Sequence, residues 1–396
     1  MSSAQFSWIF DGTSFKRDVE LSWSAGKITS IQSVAPVDNA LLVMPGLINL
    51  HAHLELTKLR GLLPQNVSFP AWVSVLKSLT QAWQQEDYEE SVRLGLAEML
   101  ATGTTTVLDV GNRKANWHQV ETSPLRLYAM LELIALDPAI GLERFNNACQ
   151  ELPLPASFGC RGLSAHAPFS CAPELMNAIA KFCKQHEQPF TMHLSESQGE
   201  QDLYAFAGGE YRPWIDAVYA AHSFKEPIGG GSQVLRWLDL PAANVIVHGN
   251  ALHTGELAWL AEQGLGLVHC PQSARWFGHP DLNVQACVEH GVKLCIGTDS
   301  LASADSLSLW DQLREFRGKH PFAVESLLAM VTRVPGEVLD PLGFLGVLRK
   351  KARADFIVLQ APADFDGSNV EDSNWSWILA PETRVQDVFV NGTRRK

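Results

Sequence analysis

The segment His51-Ala52-His53 directly follows the apolar run from Leu47 to Leu50. Successive side chains of a strand point to opposite faces, so residues two apart lie on the same face. Two histidines with this spacing, at the end of a buried strand, can present both imidazoles to one transition-metal ion. Taken alone, the pair is better explained as a solvated pair or as a hydrogen-bonded pair in the core.

Other apolar runs of the chain end in the same way, in residues that can bind a metal ion or handle its water. A solvated histidine has no reason to prefer strand ends, so the set as a whole favours one shared site. Side chains from many strand ends converge only at the carboxyl-terminal mouth of a parallel barrel. The residues concerned are His193 with Glu196, His248 and Asp299, and His166 and His269 also follow apolar runs.

The composition is that of a globular protein with a large core. The chain has 396 residues, of which 46% are hydrophobic and 19% charged, so one large domain with an accessory domain is expected. The formal net charge is −12, from 31 basic and 43 acidic residues, and no long basic cluster is present. We therefore expect a small-molecule substrate, with neither nucleic acid nor an anionic membrane as a partner.

Features of the sequence also predict the cellular location of the protein. The segment from Met1 to Phe6 lacks the charged start and apolar stretch of a signal peptide, and no apolar run reaches the ~18 residues of a membrane span. The seven cysteines form no C-x-x-C pair, which is typical of reduced thiols. These features predict a cytoplasmic protein.

Short β-rich runs alternate with longer amphipathic stretches between residues 45 and 340, the pattern of a parallel α/β fold. Eight such runs are present, and eight strands close a (β/α)8 TIM-type barrel. Residues 1–44 and 341–396 instead carry short strands separated by turn signals, and we expect them to pair into one small β-sandwich domain. The eight predicted strands are 45–50, 104–110, 126–134, 161–168, 189–195, 244–250, 265–271 and 293–300.

As an ordered set, these residues resemble the amidohydrolase superfamily, in its cytosine-deaminase-like, chlorohydrolase-type branch of metal-dependent aminohydrolases. The resemblance is carried by MPGLINLHAH at 44–53, His193 with Glu196, His248, Pro271-x-Ser273 and Gly297-Thr-Asp299-Ser300. Within the branch, the chain is most similar to deaminases of purine nucleosides, including aminodeoxyfutalosine deaminases. That similarity lies in residues 53–57, 165–168 and 269–273.

The resemblance implies a metal site in which His51, His53 and His193 are ligands and Asp299 is a fourth, longer-range or water-sharing one. Members with two metal ions carry a bridging lysine on strand four, and residues 161–166 contain none, so one divalent ion is expected. Zinc is the expected ion, with Fe2+ and Mn2+ as alternatives, because imidazole and carboxylate suit all three.

Roles in catalysis follow from the same resemblance and from the chemistry of deamination. Asp299 is expected to accept a proton from the attacking water, and His248 to orient that water. Glu196 is expected to carry protons to the ring nitrogen and the leaving ammonia. The alternatives are a helix cap for Asp299, an indirect role for His248 and a solvated loop carboxylate for Glu196.

Loops after barrel strands build the substrate pocket, so aromatic and charged loop residues are candidates for contacts with substrate. An arginine there could pair with a substrate carboxylate, although packing or surface duty explains each residue equally well. The candidates are Glu55, Arg60, Trp72, His166, His269, Ser273 and Arg275.

The predicted activity is hydrolytic deamination of a 6-aminopurine nucleoside derivative, such as aminodeoxyfutalosine, with release of ammonia. The alternatives are a guanine-, cytosine- or triazine-type aminohydrolase or chlorohydrolase and, from another class, a catalytically silent scaffold. A homodimer is the candidate assembly.

Overall fold

The computed structural model describes residues 2–152, 159–219, 226–371 and 374–396. Strands in this part of the chain form one mixed sheet and two parallel sheets. In chain order they are β1 Ser2–Phe10, β2 Phe15–Ser24, β3 Lys27–Ser33, β4 Leu41–Pro45, β5 Leu47–Ala52, β6 Thr104–Gly111, β7 Arg126–Leu133, β8 Cys160–Ala165, β9 Phe190–Leu194, β10 Asn244–His248, β11 Gly266–His269, β12 Lys293–Ile296, β13 Phe356–Gln360, β14 Val385–Val390 and β15 Thr393–Arg394.

The two parallel sheets have four strands each, in the orders β5-β6-β7-β8 and β12-β11-β10-β9. Each of the eight strands predicted for residues 45–300 corresponds to one of these strands. Nearly all of their residues are buried, as expected for parallel strands covered on both faces. Apolar runs therefore identified most of these strands, whereas β6 begins with three threonines.

Helices occupy the segments between the parallel strands, as the alternating pattern predicted. Two of the amphipathic stretches, at 89–101 and 173–186, correspond to the helices Gln85–Ala101 and Pro173–Gln185, the second of which ends one residue earlier than its stretch. The described helices are α1 Phe69–Thr80, α2 Gln85–Ala101, α3 Ala115–Gln119, α4 Pro138–Glu151, α5 Pro173–Gln185, α6 Gln198–Phe206, α7 Arg212–Tyr219, α8 Gly231–Leu235, α9 Thr254–Glu262, α10 Pro271–Phe277, α11 Val284–His290, α12 Leu309–Lys319, α13 Val324–Ala329 and α14 Arg333–Leu339. Short 3-10 helices lie at Leu54–Leu59, Pro168–Ser170 and Trp375–Leu379.

The two ends of the chain meet in one seven-stranded sheet, ordered β15-β14-β13-β4-β1-β2-β3. The junction is antiparallel pairing of β4 with β13, in which Val43 lies opposite Val358. Pairing of the chain ends was predicted, but the sandwich was not the outcome, because the described strands here form a single sheet.

The burial of β4 explains why the sequence pattern did not distinguish a sandwich from a single sheet. Leu42 and Met44 join the large core that also contains residues of the parallel strands. Val43, on the opposite face, packs in a separate core with Phe356 and Leu348. Both faces of this strand are thus buried without a second sheet, and alternation along a strand does not reveal what covers it.

No helix in the described part of the chain is both long and apolar enough to cross a membrane. All seven cysteines lie in the described ranges, and all are unpaired, as predicted.

Candidate active site

His51 lies on β5 and His53 directly follows it, so their side chains share one face of the strand end. The His51 side chain is completely buried, and neither of its ring nitrogens has a hydrogen-bond partner among the described residues. Its Nε2 atom lies 3.5 Å from Oδ1 of Asp299. A buried imidazole without a partner is costly, so His51 is suited to binding a ligand that the protein itself does not supply.

His193, on β9, completes a group of three histidines whose ligand atoms all lie within 4.8 Å of one another. The Nε2 atoms of His53 and His193 are 3.2 Å apart. Nδ1 of His193 lies 2.8 Å from the backbone oxygen of His166. Donation from Nδ1 to that carbonyl leaves the Nε2 lone pair of His193 free and directed towards His53.

These separations fit a divalent metal ion. Zinc–nitrogen bonds of about 2.0–2.1 Å with tetrahedral angles place two ligand atoms about 3.3 Å apart. Burial, and then the neighbouring His51, lower the pKa of His53 to about 3, so its imidazole is neutral and able to coordinate at neutral pH. The donor set of three neutral imidazoles beside a carboxylate is therefore one that zinc accepts.

Asp299 is held so that one oxygen faces the histidines. The hydroxyl groups of Ser273 and Ser303 donate to Oδ2 at 2.6 Å and 2.7 Å, while Oδ1 lies 3.7 Å from Nε2 of His53. Burial raises the pKa of Asp299, but the neighbouring imidazoles of His51 and His53 outweigh this, and the pKa lies well below its usual range. Asp299 is thus an ionised acceptor beside the three histidines.

Two residues of this centre have backbone conformations that most side chains avoid. His248 has φ of +70° and Asp299 has φ of +58°. Such a left-handed conformation costs on the order of 1–3 kcal/mol when the residue is not glycine. Each lies where a parallel strand passes into its loop. The strain is consistent with side chains that are held at a required position against local preference.

Glu196 lies three residues after His193, between two imidazoles. Its Oε1 atom is 3.7 Å from Nε2 of His248 and 3.5 Å from Nε2 of His279. Burial raises the pKa of Glu196, but His248 and then His279 lower it by more, so the net shift is downwards. The carboxylate can therefore accept a proton before it donates one.

The sequence reasoning missed His279. This residue lies just after α10, and its ring stacks on Phe277 with centroids 5.1 Å apart. The sequence did carry a signal for it. This histidine follows aromatic residues in the loop after a barrel strand, the same loop that supplied Arg275 as a candidate.

A cavity of about 270 Å³ opens above the histidines. Its base is polar and contains the candidate metal ligands His53 and His193 together with Glu196, His248 and Asp299. Its sides are largely aromatic, so a flat ring could lie against them with its reacting edge at the base. The aromatic residues are Phe69, Trp72, Tyr88, Phe169, Tyr211 and Phe277.

Two of the seven residues predicted to contact substrate, Trp72 and His166, line this cavity. The indole nitrogen of Trp72 donates to the backbone oxygen of Ala302 at 3.1 Å, and His166 Nδ1 lies 2.6 Å from the Ser170 hydroxyl. Both side chains are thus oriented by neighbours and keep a face towards the cavity.

The other five predicted contacts are not among the described residues that line the cavity. Arg60 pairs with Glu98, and Arg275 pairs with Asp305 at 2.6 Å and with Glu315 at 3.2 Å, so both guanidinium groups already have carboxylate partners.

The remaining three candidates, Glu55, Ser273 and His269, are buried, unlike Arg60 and Arg275. Glu55 accepts hydrogen bonds from the backbone nitrogens of Asn112 and Arg113 at 3.1 Å and 3.2 Å. Ser273 donates to Asp299, as described above, and His269 Nδ1 lies 3.1 Å from Oδ1 of Asn250. These side chains support the loops and the carboxylate around the cavity.

Residues 42–394 match the amidohydrolase family. This chain belongs to the amidohydrolase family. The 5-methylthioadenosine/S-adenosylhomocysteine deaminase of Bacillus cereus (strain AH820) is 28% identical to this amidohydrolase over 372 residues, which are 89% of this chain and 81% of the relative. The family match makes the chain an amidohydrolase, and this relative is a deaminase.

Solved structures show the same fold. Helicobacter pylori aminofutalosine deaminase, in complex with methylthio-coformycin, superposes with a TM-score of 0.86 at 20% identity over 100% of both chains. Atrazine chlorohydrolase from Arthrobacter aurescens TC1, complexed with zinc, superposes with a TM-score of 0.78 at 19% identity over 100% of this chain and 95% of that one. The amidohydrolase therefore shares its architecture with a zinc-bound protein.

Proposed function

We propose that this amidohydrolase replaces the 6-amino group of an adenine nucleoside by oxygen from water and releases ammonia. The observation that carries the proposal is the position of Glu196, which lines the same cavity as Asp299, His53 and His193. Deamination of a ring amidine needs hydroxide at carbon and a proton at the adjacent nitrogen, and this arrangement offers both from one side of the cavity.

His51, His53 and His193, with Asp299, would hold one divalent ion, for which zinc is the best candidate. A bound divalent ion lowers the pKa of water towards neutrality. Ionised Asp299 accepts a proton from the attacking water, and His248 hydrogen-bonds the same water and orients it. Water supplies both protons: Glu196 accepts one and carries it to the ring nitrogen, and the one that Asp299 accepts passes by way of Glu196 to the departing amine, so that both carboxylates end ionised.

The substrate class is supported by the cavity walls and by the relatives. An adenine ring can stack on aromatic side chains such as Phe69 and Trp72, while its amino group lies at the polar base. The relatives are named for 5-methylthioadenosine, S-adenosylhomocysteine and aminofutalosine, all acted on by deaminases. We infer that the substrate is an adenine nucleoside with a substituent on its sugar, and aminodeoxyfutalosine is one candidate.

We also infer that the two parallel sheets close into one (β/α)8 barrel, as the sequence pattern predicted. Hydrogen bonds at the two junctions between the sheets, called seams here, support closure. The backbone nitrogen of His193 donates to the oxygen of His166 at 2.9 Å across the β8–β9 seam. At the other seam, Ala52 and Asp299 form a parallel bridge, and the Asp299 nitrogen donates to the oxygen of His51 at 3.1 Å.

Ammonia release tests the function. Purified, zinc-replete protein is incubated with adenosine, 5′-methylthioadenosine, S-adenosylhomocysteine, aminodeoxyfutalosine, guanine, cytosine and a chlorinated triazine. Deamination of at least one adenine nucleoside, with a higher kcat/KM than any free base or triazine, is expected. Turnover of the triazine or a free base alone would instead assign one of the alternative activities, and no turnover by metal-replete protein would contradict the proposal. The cytoplasmic location, the homodimer and the domain boundaries stay predictions.

A further inference from the structure

Glu200 is a buried carboxyl residue that the catalytic scheme above does not use. It lies in the first turn of α6, four residues after Glu196, and is 1% exposed. Burial raises the pKa of Glu200 to about 7, although three hydrogen bonds lower it. A buried carboxyl group must be matched by hydrogen-bond donors, so its partners indicate what it does.

Both oxygens of Glu200 accept hydrogen bonds from the backbone that carries Glu196. Oε1 accepts from the nitrogen of Ser195 at 2.7 Å, and Oε2 accepts from the nitrogen of Glu196 at 2.9 Å. The hydroxyl group of Tyr204, also in α6, donates to Oε1 at 2.7 Å. The carboxyl group is thus anchored to its own helix and binds two successive N–H groups of the segment that contains the proton shuttle.

The conformation of Ser195 shows that this contact is more than a helix cap. Successive N–H groups of a strand point in opposite directions, so both reach one carboxyl group only where the path of the strand bends. Ser195 makes that bend with φ of +49°, a conformation that residues other than glycine rarely adopt. In an ordinary capping box, Glu200 would accept from the N-cap residue Ser197, whose hydroxyl group accepts from the Glu200 nitrogen at 3.1 Å. Its oxygens instead reach past Ser197 to the two preceding residues.

A second side chain binds the carbonyl group of Glu196. Nδ2 of Asn250, in the loop after β10, donates to the Glu196 backbone oxygen at 3.0 Å. Oδ1 of Asn250 lies 3.1 Å from Nδ1 of His269. Donation from His269 to Oδ1 fixes the amide so that Nδ2 is directed towards Glu196. The N–H and C=O groups of Glu196 are therefore both bound by buried side chains, since Asn250 is only 4% exposed.

We propose that Glu200 and Asn250 are positioning residues that fix the backbone of Glu196. They thereby hold its carboxylate between His248 and His279. The inference rests on the proposed function, in which Glu196 carries protons, and adds two residues that act through it. A proton carrier must stay within hydrogen-bond reach of the water and of the ring nitrogen, so displacement of its backbone slows proton transfer. Neither Glu200 nor Asn250 is among the described residues that line the cavity, so neither is placed to touch the substrate.

A purely structural role for these two residues makes a different prediction. If they only stabilise the fold, their loss lowers the activity of every variant of the enzyme by the same factor. If they act through Glu196, their loss has no further effect once Glu196 itself has been replaced, because residues that act as one unit are not additive. A double-mutant cycle with Glu196→Gln separates the two roles.

The cycle is measured with zinc-loaded protein and the adenine nucleoside that it deaminates best, at about pH 8, above the pKa of Glu200. Glu200→Gln leaves one of the two N–H groups without an acceptor, and Asn250→Ala removes the donor to the Glu196 carbonyl. Each should lower kcat by about ten- to a hundredfold, the scale for a catalytic group displaced by ~1 Å. In the Glu196→Gln background neither should lower kcat further, and zinc content should stay at the wild-type level throughout.

Asp340→Asn is the matched control, because the two oxygens of Asp340 likewise accept from two backbone nitrogens, those of Leu342 and Phe344, both at 3.1 Å. It should keep the wild-type kcat. Equal losses in the wild-type and Glu196→Gln backgrounds, loss of zinc, or an unchanged kcat in either variant would each overturn the proposal.

A crystal structure of zinc-loaded Glu200→Gln tests the same contact without turnover. The Glu196 carboxylate should leave its place beside His248 and His279, and an unmoved carboxylate would overturn the proposal. If the wild type deaminates no adenine nucleoside, the proposed function itself fails. That is a separate outcome, and the crystal structure still decides whether Glu200 positions Glu196.

Discussion

His53 and His193 place their Nε2 atoms 3.2 Å apart although 140 residues separate them in the chain. One follows β5, in the first parallel sheet, and the other lies on β9, in the second. Their contact therefore depends on the way the two sheets face each other. The two atoms can share one proton in a hydrogen bond, whereas the divalent ion proposed above would use the lone pairs of both.

Metal binding is the first prediction. His51→Ala removes a completely buried ligand with no other partner among the described residues, so metal and activity should be lost together. Metal content per chain, measured by elemental analysis, should fall from one equivalent to near zero. His290→Ala, an exposed histidine in α11, is the control and should keep both. Two equivalents in active wild type, or full metal in His51→Ala, would contradict the single-ion site.

The second prediction concerns proton transfer by Glu196. Glu196→Gln keeps the shape of the side chain but removes the titratable group, so kcat should fall by about 100-fold or more. Metal content should not change, because the three histidines are intact. Near-normal kcat in metal-replete Glu196→Gln would place the proton shuttle on another residue.

The pH profile gives the third prediction, through His279. The contact of His279 with Glu196, at 3.5 Å, is one of the interactions that lower the pKa of this carboxyl group. His279→Ala should therefore raise the pKa of Glu196. Because Glu196 must be ionised to accept a proton, the acidic limb of the kcat/KM profile should move to higher pH. His186→Ala, at an exposed position, should leave the limb in place. An unmoved limb in His279→Ala would show that Glu196 does not set it.

Glu55 leads to a prediction about stability. Burial raises the pKa of Glu55 to about 7, more than its backbone hydrogen bonds from Asn112 and Arg113 lower it. Between pH 4.5 and 7 the folded state thus retains a proton that the unfolded chain releases, so the contribution of Glu55 to stability is fully present below about pH 4.5 and falls as the pH rises towards 7. One such group contributes a slope of at most about 1.4 kcal/mol per pH unit.

Glu55→Gln mimics the protonated side chain and should make the unfolding free energy less dependent on pH in this range. Denaturant unfolding at several pH values measures the difference between the variant and the wild type. Parallel pH dependences for the two proteins would mean that Glu55 ionises normally in the folded state.

The fifth prediction concerns the mixed sheet. Deletion of residues 350–396 removes β13, which pairs along all of β4 from Leu41 to Pro45. The deletion would expose the edge of β4 and part of the core around Met44, so the fragment should aggregate or unfold at a much lower temperature. Solubility and thermal unfolding measure this. A soluble fragment with full activity would show that the N-terminal strands of the sheet fold without the C-terminal ones.

The sequence determined much of this protein by local rules. Buried parallel strands need continuous apolar runs, and chemistry at their carboxyl ends needs polar residues directly afterwards. All eight strands, and the grouping of His51, His53, His193, Glu196, His248 and Asp299 at their ends, could therefore be predicted. The pairing of the chain ends followed from strand patterns too short to bury a core alone.

Only the tertiary structure decided which loop residues face the cavity. Arg60 and Arg275 lie in the loops predicted to build the pocket, yet their side chains turn to Glu98 and to Asp305 with Glu315. The direction of a long charged side chain is set by whichever opposite charge packs beside it, and spacing along the chain does not encode that neighbour. For the same reason His279 emerged only once the loop after α10 was brought beside Glu196.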